Sequence, residues 1–406
     1  MAAPPASVAV QSGDPGPAAV RVASLDAVRG AVMVLMAIDH VRVFSGIPAG
    51  GPSPGVFFTR WVTHFCAPAF VFLAGTSAFL YGRRHGDLSR FLLTRGLWLV
   101  FLEFTVLRFA WTFNLDLGHA MAGVIWAIGV SMILMAALVR LPVAAVGASG
   151  LLVVALHNVT DFVPGFVAAA RASSLSWLWS ILYLAFWTGP FRIGSTGPEV
   201  IVLYSILPWV GVMAAGYAFG AVLERDPLSR RRLSVGLGLV ATALFLMLRA
   251  FSRYGDPSPW PPPLGGRSEM PLLLAFLDTT KYPASLDFLL MTLGPTLVAL
   301  GLLEGARGAV ARALATFGRV PFFFYALHLF LIHALALGVS VLLSGSVSPW
   351  LFRNHPMGAG RPPAKYTWSL PVLYATWGVA IALLYPACRW FGGLKARRSD
   401  RWLRFL

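Results

Sequence analysis

Asp39 and His40 close an apolar stretch that begins at Gly30, and Arg42 follows two residues later. Histidine is the side chain best suited to take up and release a proton near neutral pH, so His40 is the candidate general base. Asp39 and His64, the latter at the start of a second apolar run, are candidates to orient it. Adjacent residues on a helix point about 100° apart, so Asp39 and His40 do not face each other by default, and a partner from another segment is needed. Arg60 stands one helical turn before His64. Arg42, Arg60, Arg108, Asp116, His119 and His328 are the remaining polar groups that could converge on one cavity and hold a substrate. H-E-x-x-H, G-x-S-x-G and P-loop patterns are absent, and no metal site is expected.

The elements that must carry these residues are membrane helices. The chain is 57% hydrophobic and 12% charged, against roughly 25% charged in an ordinary soluble domain. Its mean hydropathy is +0.73, and apolar runs near twenty residues recur along its length, which predicts an all-α polytopic transmembrane bundle embedded in a lipid bilayer. Spans are expected at 26–44, 61–82, 92–111, 121–139, 142–158, 200–222, 233–251, 286–303, 319–341 and 369–390. The Trp-rich stretch 175–190 reads as an interfacial or re-entrant helix, or an eleventh span. Residues 1–20 read as a disordered tail, 21–392 as one membrane domain and 393–406 as a basic cytoplasmic tail.

The net charge of +16 sits in short connections between spans. That is topogenic patterning and does not point to nucleic acid. With the N-terminus inside, 20 of the 32 basic residues fall on the inner side, which predicts ten spans with both termini inside. Cys66 and Cys388 lie in apolar runs and imply no disulfide framework. Pro68 is expected to kink span 2 beside His64, and Pro208 to do the same at Tyr204. Gly216 and Gly220 are expected at a close helix contact. Asp26 and Arg29 are spaced to pair. Glu103, the one acid well inside a span, needs a partner there, with Arg29 or Arg108 as candidates.

Three stretches carry a resemblance. They are Arg21-Val-Ala-Ser-Leu-Asp-Ala-Val-Arg-Gly with the span ending in Asp39-His40, then His64-Phe-Cys-Ala-Pro through Gly75-Thr-Ser, and then Leu207-Pro-Trp through Gly220 with Phe317-Gly-Arg-Val-Pro through His328-Leu. Together they resemble the bacterial membrane proteins related to the catalytic domain of heparan-α-glucosaminide N-acetyltransferase. The resemblance implies an integral protein of the bacterial cytoplasmic membrane. It also implies transfer of an acyl group, acetyl in the type case, from cytoplasmic acyl-CoA to a sugar or glycan outside, without a metal. His40 corresponds to the histidine that transmembrane acyltransferases carry at the outer end of span 1. Arg60 or Arg108 then becomes a candidate oxyanion partner, and Arg83, Arg84 and Arg319 become candidates for the CoA phosphates. The same polar cavity also suits a proton-coupled transporter, or a membrane scaffold with structural histidines. A homo-oligomer is compatible with either.

Overall fold

The computed structural model describes residues 23–50, 53–261, 270–357, 360–398 and 400. The expected N-terminal tail and residues 401–406 lie outside the described residues. The first half of the bundle contains α1 (Ala23–Ser45), α2 (Pro54–Trp61), α3 (Cys66–Gly82), α4 (Leu88–Leu102), α5 (Arg108–Thr112), α6 (Val124–Leu138) and α7 (Val143–Leu156). Short helices α8 (Phe166–Ala172) and α9 (Ser176–Trp179) lead to α10 (Ile206–Phe219) and α11 (Pro227–Phe251). After α12 (Leu272–Leu277) come α13 (Leu286–Leu302), α14 (Ala309–Gly318), α15 (Pro321–Ser344) and α16 (Leu370–Arg397). Residues 393–397, expected in the basic tail, continue α16.

Every stretch expected as a span contains helix, and six helical segments among the described residues are long and apolar enough to cross a membrane. α6 and α13 are apolar but shorter. α1 has the length, with 23 residues, but carries Asp26, Arg29, Asp39 and Arg42. Outward faces are greasy: Leu93, Leu97 and Phe101 on α4, and Leu237, Val240, Leu244 and Met247 on α11, are exposed at helical spacing. Such surfaces match hydrocarbon, not water. The polar end of α11 shows how a span is started. Asp226 Oδ1 accepts from the amides of Leu228 and Ser229 at 3.1 and 3.0 Å, and Pro227 occupies the first turn, where its missing N–H costs nothing.

Glycines set the helix spacing. A Cβ on Gly75 of α3 would strike the Met213 carbonyl of α10, and one on Gly216 of α10 would strike the Phe72 carbonyl of α3. Thr76 Oγ1 donates to the Gly216 carbonyl at 2.9 Å across the same contact. Gly220 meets the Phe79 ring, so the expected Gly216–Gly220 contact is present and its partner is α3. α1 and α14 approach in the same way through Gly30 and Gly318. Without a strong hydrophobic drive between helices in lipid, such close backbone contact supplies the packing.

Three local expectations change. Residues 61–82 fall within one helical segment, Pro54–Gly82, but its interruption lies at 62–65, ahead of Pro68. The chain turns at 62–65, with 3₁₀-type bonds such as His64 N to the Trp61 carbonyl at 2.9 Å, and α3 restarts at Cys66. Pro68 therefore lies in a first turn, where it breaks nothing. Pro208 is likewise in the first turn of α10, because the expected start of span 6 is strand β3 (Glu199–Val202), a run rich in β-branched residues. β3 pairs parallel with β1 (His119–Ala122) and antiparallel with β2 (Phe191–Arg192). The 175–190 stretch breaks into α9, a π turn and a 3₁₀ turn, and does not form a continuous helix.

Candidate functional site

One stripe of α1 organises the site. Arg29, Met33, Met36 and His40 follow one another at spacings of four, three and four residues, so they share a helix face. From Arg29 to His40 the helix rises about 16 Å. The first three line a cavity of about 350 Å³. Its lining carries Arg29, Arg95, Arg319 and Lys395, and no acidic residue among the described ones lines it. Its walls are apolar, with Phe70, Leu99 and Phe322 among them, and it reaches Tyr325, whose ring lies edge-on to His40 with centroids 6.1 Å apart.

At the far end His40 meets α15. Its Nδ1 lies 2.5 Å from Nε2 of His328, and the rings overlap with centroids 4.8 Å apart. His328 is fully buried, and its Nδ1 lies 3.0 Å from the Phe324 carbonyl. A carbonyl only accepts, so in the neutral pair His328 Nδ1 carries the proton and Nε2 offers a lone pair. His40 Nδ1 must donate to that lone pair. Nε2 of His40 is then the unprotonated nitrogen, the form a general base requires. Trp111 packs edge-on against His40 at 4.8 Å and restricts the ring further.

Asp39 does not orient either imidazole. It accepts from Arg42 Nε at 2.8 Å and from Arg60 Nη1 at 2.5 Å. Arg42 also donates to the Ile47 carbonyl at 3.0 Å, so the pair caps the end of α1. Helical geometry is the reason: Arg42 follows Asp39 by three residues on one face, whereas His40 points elsewhere. Arg60 stands 5.8 Å from the Tyr282 ring centroid, and Lys281 Nζ 5.2 Å from the same ring. His64 is buried at the α2–α3 break, edge-on to Phe288, and its Nδ1 finds no hydrogen-bond partner among the described residues. It does not hydrogen-bond to His40.

Arg108 is a structural fastener. Its guanidinium donates to the carbonyls of His119 at 3.2 Å and Asn114 at 3.0 Å, and to the side-chain oxygens of Asn114 at 3.2 Å and Asn354 at 3.1 Å. Asn354 in turn donates to Asp116 at 2.7 Å. The amide of Gly118, 2.9 Å away, holds the Asp116 carboxyl below the usual carboxylate range, and Asn354 adds to this. His119 Nε2 lies 3.5 Å from Glu199. These residues knit the 113–119 turn to the loop after α15.

Glu103 opens a π turn (Glu103–Leu107) between α4 and α5, and its Oε2 accepts from the Trp126 amide at 3.0 Å. Neither Arg29 nor Arg108 is its partner, contrary to expectation. The exposed N–H groups at the start of α6 fill that role. Arg29 instead donates to Ser77 at 2.8 Å and to the Gly318 carbonyl at 3.2 Å, and keeps its expected contact with Asp26 at 3.4 Å. Val124 and Ile125 of the same first turn of α6 line the cavity under Arg29, while Trp126 lines a second cavity of about 750 Å³ beside Arg108 and His119.

Of the three arginines expected at a phosphate site, Arg319 lines the first cavity. Arg83 is exposed and paired with Glu224 at 2.6 Å, and Arg84 is exposed; neither lines it. Arg29, Arg95 and Lys395 were missed as a set. The Arg29–Met33–Met36–His40 spacing would have disclosed the first of them. Arg95 and Lys395 come from distant segments and have no shared sequence signal.

Residues 21–252 match the family described as heparan-alpha-glucosaminide N-acetyltransferase, catalytic. That is more than half of the chain. The chain belongs to this family. No curated protein matches it. The family match takes in α1 through α11 and with them His40, Asp39 and His64. Arg319, His328 and Lys395 lie past its end, on the helices that complete both ends of the α1 stripe.

Proposed function

We propose that the protein transfers an acetyl or other acyl group from acyl-CoA to a sugar or glycan acceptor on the opposite side of a bacterial cytoplasmic membrane. The observation that carries this is the α1 stripe, a single helix face that runs from a four-cation cluster to an oriented imidazole along an apolar cavity. Phosphates of the donor belong at Arg29, Arg95, Arg319 and Lys395, four cations that line one cavity. The pantetheine arm, an extended chain of comparable reach to the stripe, fits between Met33, Met36 and Phe70 and brings the thioester toward Tyr325 and His40. Both termini lie inside in this reading, ten spans cross the bilayer between residues 21 and 392, and the cation cluster faces the cytoplasm.

Nε2 of His40 takes the proton from the acceptor hydroxyl or amine as that group attacks the thioester carbonyl. The carbon–sulfur bond breaks, and the imidazolium returns the proton to the departing thiolate, leaving free CoA and the acylated sugar. His328 stabilises the imidazolium stage by accepting from Nδ1. Asp39 keeps Arg42 and Arg60 in place and stays outside the proton path.

Purified protein given radiolabelled acetyl-CoA and membrane extract tests the proposal. Label should move to an acceptor in wild type and not in His40→Ala. Absence of acetyl-CoA binding in wild type removes the donor and sinks the reading.

A further inference from the structure

The second cavity has no role in the transfer chemistry described so far. At about 750 Å³ it lies within the range of small-molecule sites, roughly 300–1,000 Å³. It is enclosed by the π turn after α4, the sheet, and α9 with its following π turn. Trp126, Ile181 and Phe191 make an apolar wall. Its rim is apolar too: Leu117, Trp177 and Ile193 all line it and are 65%, 44% and 57% exposed. Exposed Leu, Trp and Ile beside the span ends suit the lipid–water interface, where Trp is favoured.

The charge at this cavity has one sign. Arg108 and Arg192 line it and no carboxylate does. Arg108 is buried, and all four acceptors on its guanidinium are neutral oxygens. Of the nearby acids, Asp116 is bonded to Gly118 and Asn354 and stands within electrostatic reach of Arg108, and Glu199, 3.5 Å from His119, is the cross-strand neighbour of Arg192 without an ion pair to it. Arg192 is exposed and donates to the Gly197 carbonyl at 3.1 Å. The site thus pairs a greasy chamber with the exposed guanidinium of Arg192. It also adjoins the catalytic histidine: Trp111, which packs on His40, stands three residues after Arg108 on α5.

We infer that this cavity holds the lipid portion and phosphate of the acceptor, so that the acceptor is a lipid-linked sugar phosphate drawn from the membrane and not a free glycan. This deepens the acyl-transfer reading and rests on it for the identity of the reacting group. The chain lies between Trp126, Ile181 and Phe191, the phosphate sits at Arg192, and the sugar extends toward His40.

Farnesyl phosphate is a probe of chain and charge without the sugar. Native mass spectrometry of the full-length protein in detergent should show one bound molecule. Arg192→Glu should weaken it about tenfold and Ile181→Asp should abolish it, while inorganic phosphate does not compete. Arg192→Glu lies on the surface and reports even where Ile181→Asp fails to fold. Equal binding of phosphatidylglycerol would mean an ordinary bilayer lipid and overturn the inference, as would farnesyl phosphate binding unchanged in Arg192→Glu. Acetyl-CoA binding is measured in parallel. If it persists while farnesyl phosphate fails to bind, the lipid-linked acceptor falls and the donor reading stands. If acetyl-CoA fails and farnesyl phosphate binds at Arg192, the transfer reading falls and the amphiphile site stands.

Discussion

His40 Nδ1 donates to His328 Nε2 across the α1–α15 contact, 2.5 Å apart, and the Phe324 carbonyl behind His328 fixes the direction of that bond. The proposed base and the group that orients it are 288 positions apart in the sequence. His40→Ala should lower acyl transfer about 100- to 10,000-fold, the usual contribution of a general base. His328→Phe removes the acceptor but fills the space, and should lower kcat about tenfold with KM for acetyl-CoA unchanged. His328→Gln keeps an acceptor oxygen and should fall less. Steady-state kinetics on the three variants checks the order; equal activity of His328→Phe and wild type would remove His328 from the mechanism.

The cation cluster makes a separate prediction. Arg319→Ala and Lys395→Ala should each weaken acetyl-CoA binding about tenfold, near 1.4 kcal/mol, and the wild-type affinity should fall with rising salt. Arg84→Ala, outside the cavity, should bind as wild type does. Isothermal titration of the three variants is the measurement.

Asp39 is predicted to be structural. Its ionic partners Arg42 and Arg60 have side chains only 9% and 15% exposed. Asp39→Ala leaves two such cations without their carboxylate and should cost about 3–5 kcal/mol, the range for breaking a buried pair. A large drop in melting temperature with acetyl-CoA affinity retained in the folded fraction is expected. A variant as stable as wild type would contradict the assignment.

Backbone contact at glycine is the most demanding packing in the bundle. Gly75→Val and Gly30→Val place branched side chains against the Met213 and Leu314 carbonyls and should leave little monodisperse protein on size-exclusion chromatography. Gly338→Val, where a Cβ meets nothing, is the matched control.

The loop after α15 should respond to acid. Burial pushes His355, stacked on Trp350 with centroids 3.8 Å apart, down from 6.5 to about 4. The unfolded chain therefore binds this proton before the folded one does, so the stability His355 contributes is full above pH 6.5 and is lost as pH falls toward 4. Hydrogen exchange across 346–357 should quicken over that window in wild type and not in His355→Phe, which keeps the stack.

The helical membrane architecture was legible because apolar runs and interspersed arginines report it locally. His40 stood out as a candidate because it ends a run where an ionisable group has no packing reason to be. His328 was legible only as a histidine in a span; its bond to His40 depends on helix placement that no local pattern encodes. Arg108 and Asp39 misled for one shared reason. Charge at a span end looks functional in sequence, and only geometry shows whether its donors and acceptors are already spent on the backbone and on each other. The strands at 119–122 and 199–202 were overlooked because their hydrophobicity continues into the helices that follow.

Glu103 and the first turn of α6 have a bearing on insulation. Val124 and Ile125 face one cavity and Trp126 the other, so a single helical turn, tethered by one carboxylate, contributes to the walls of both chambers. On the proposed transfer, protons and ions must be kept from crossing with the acyl group, and the Glu103–Trp126 bond then serves as a seal as well as a helix cap.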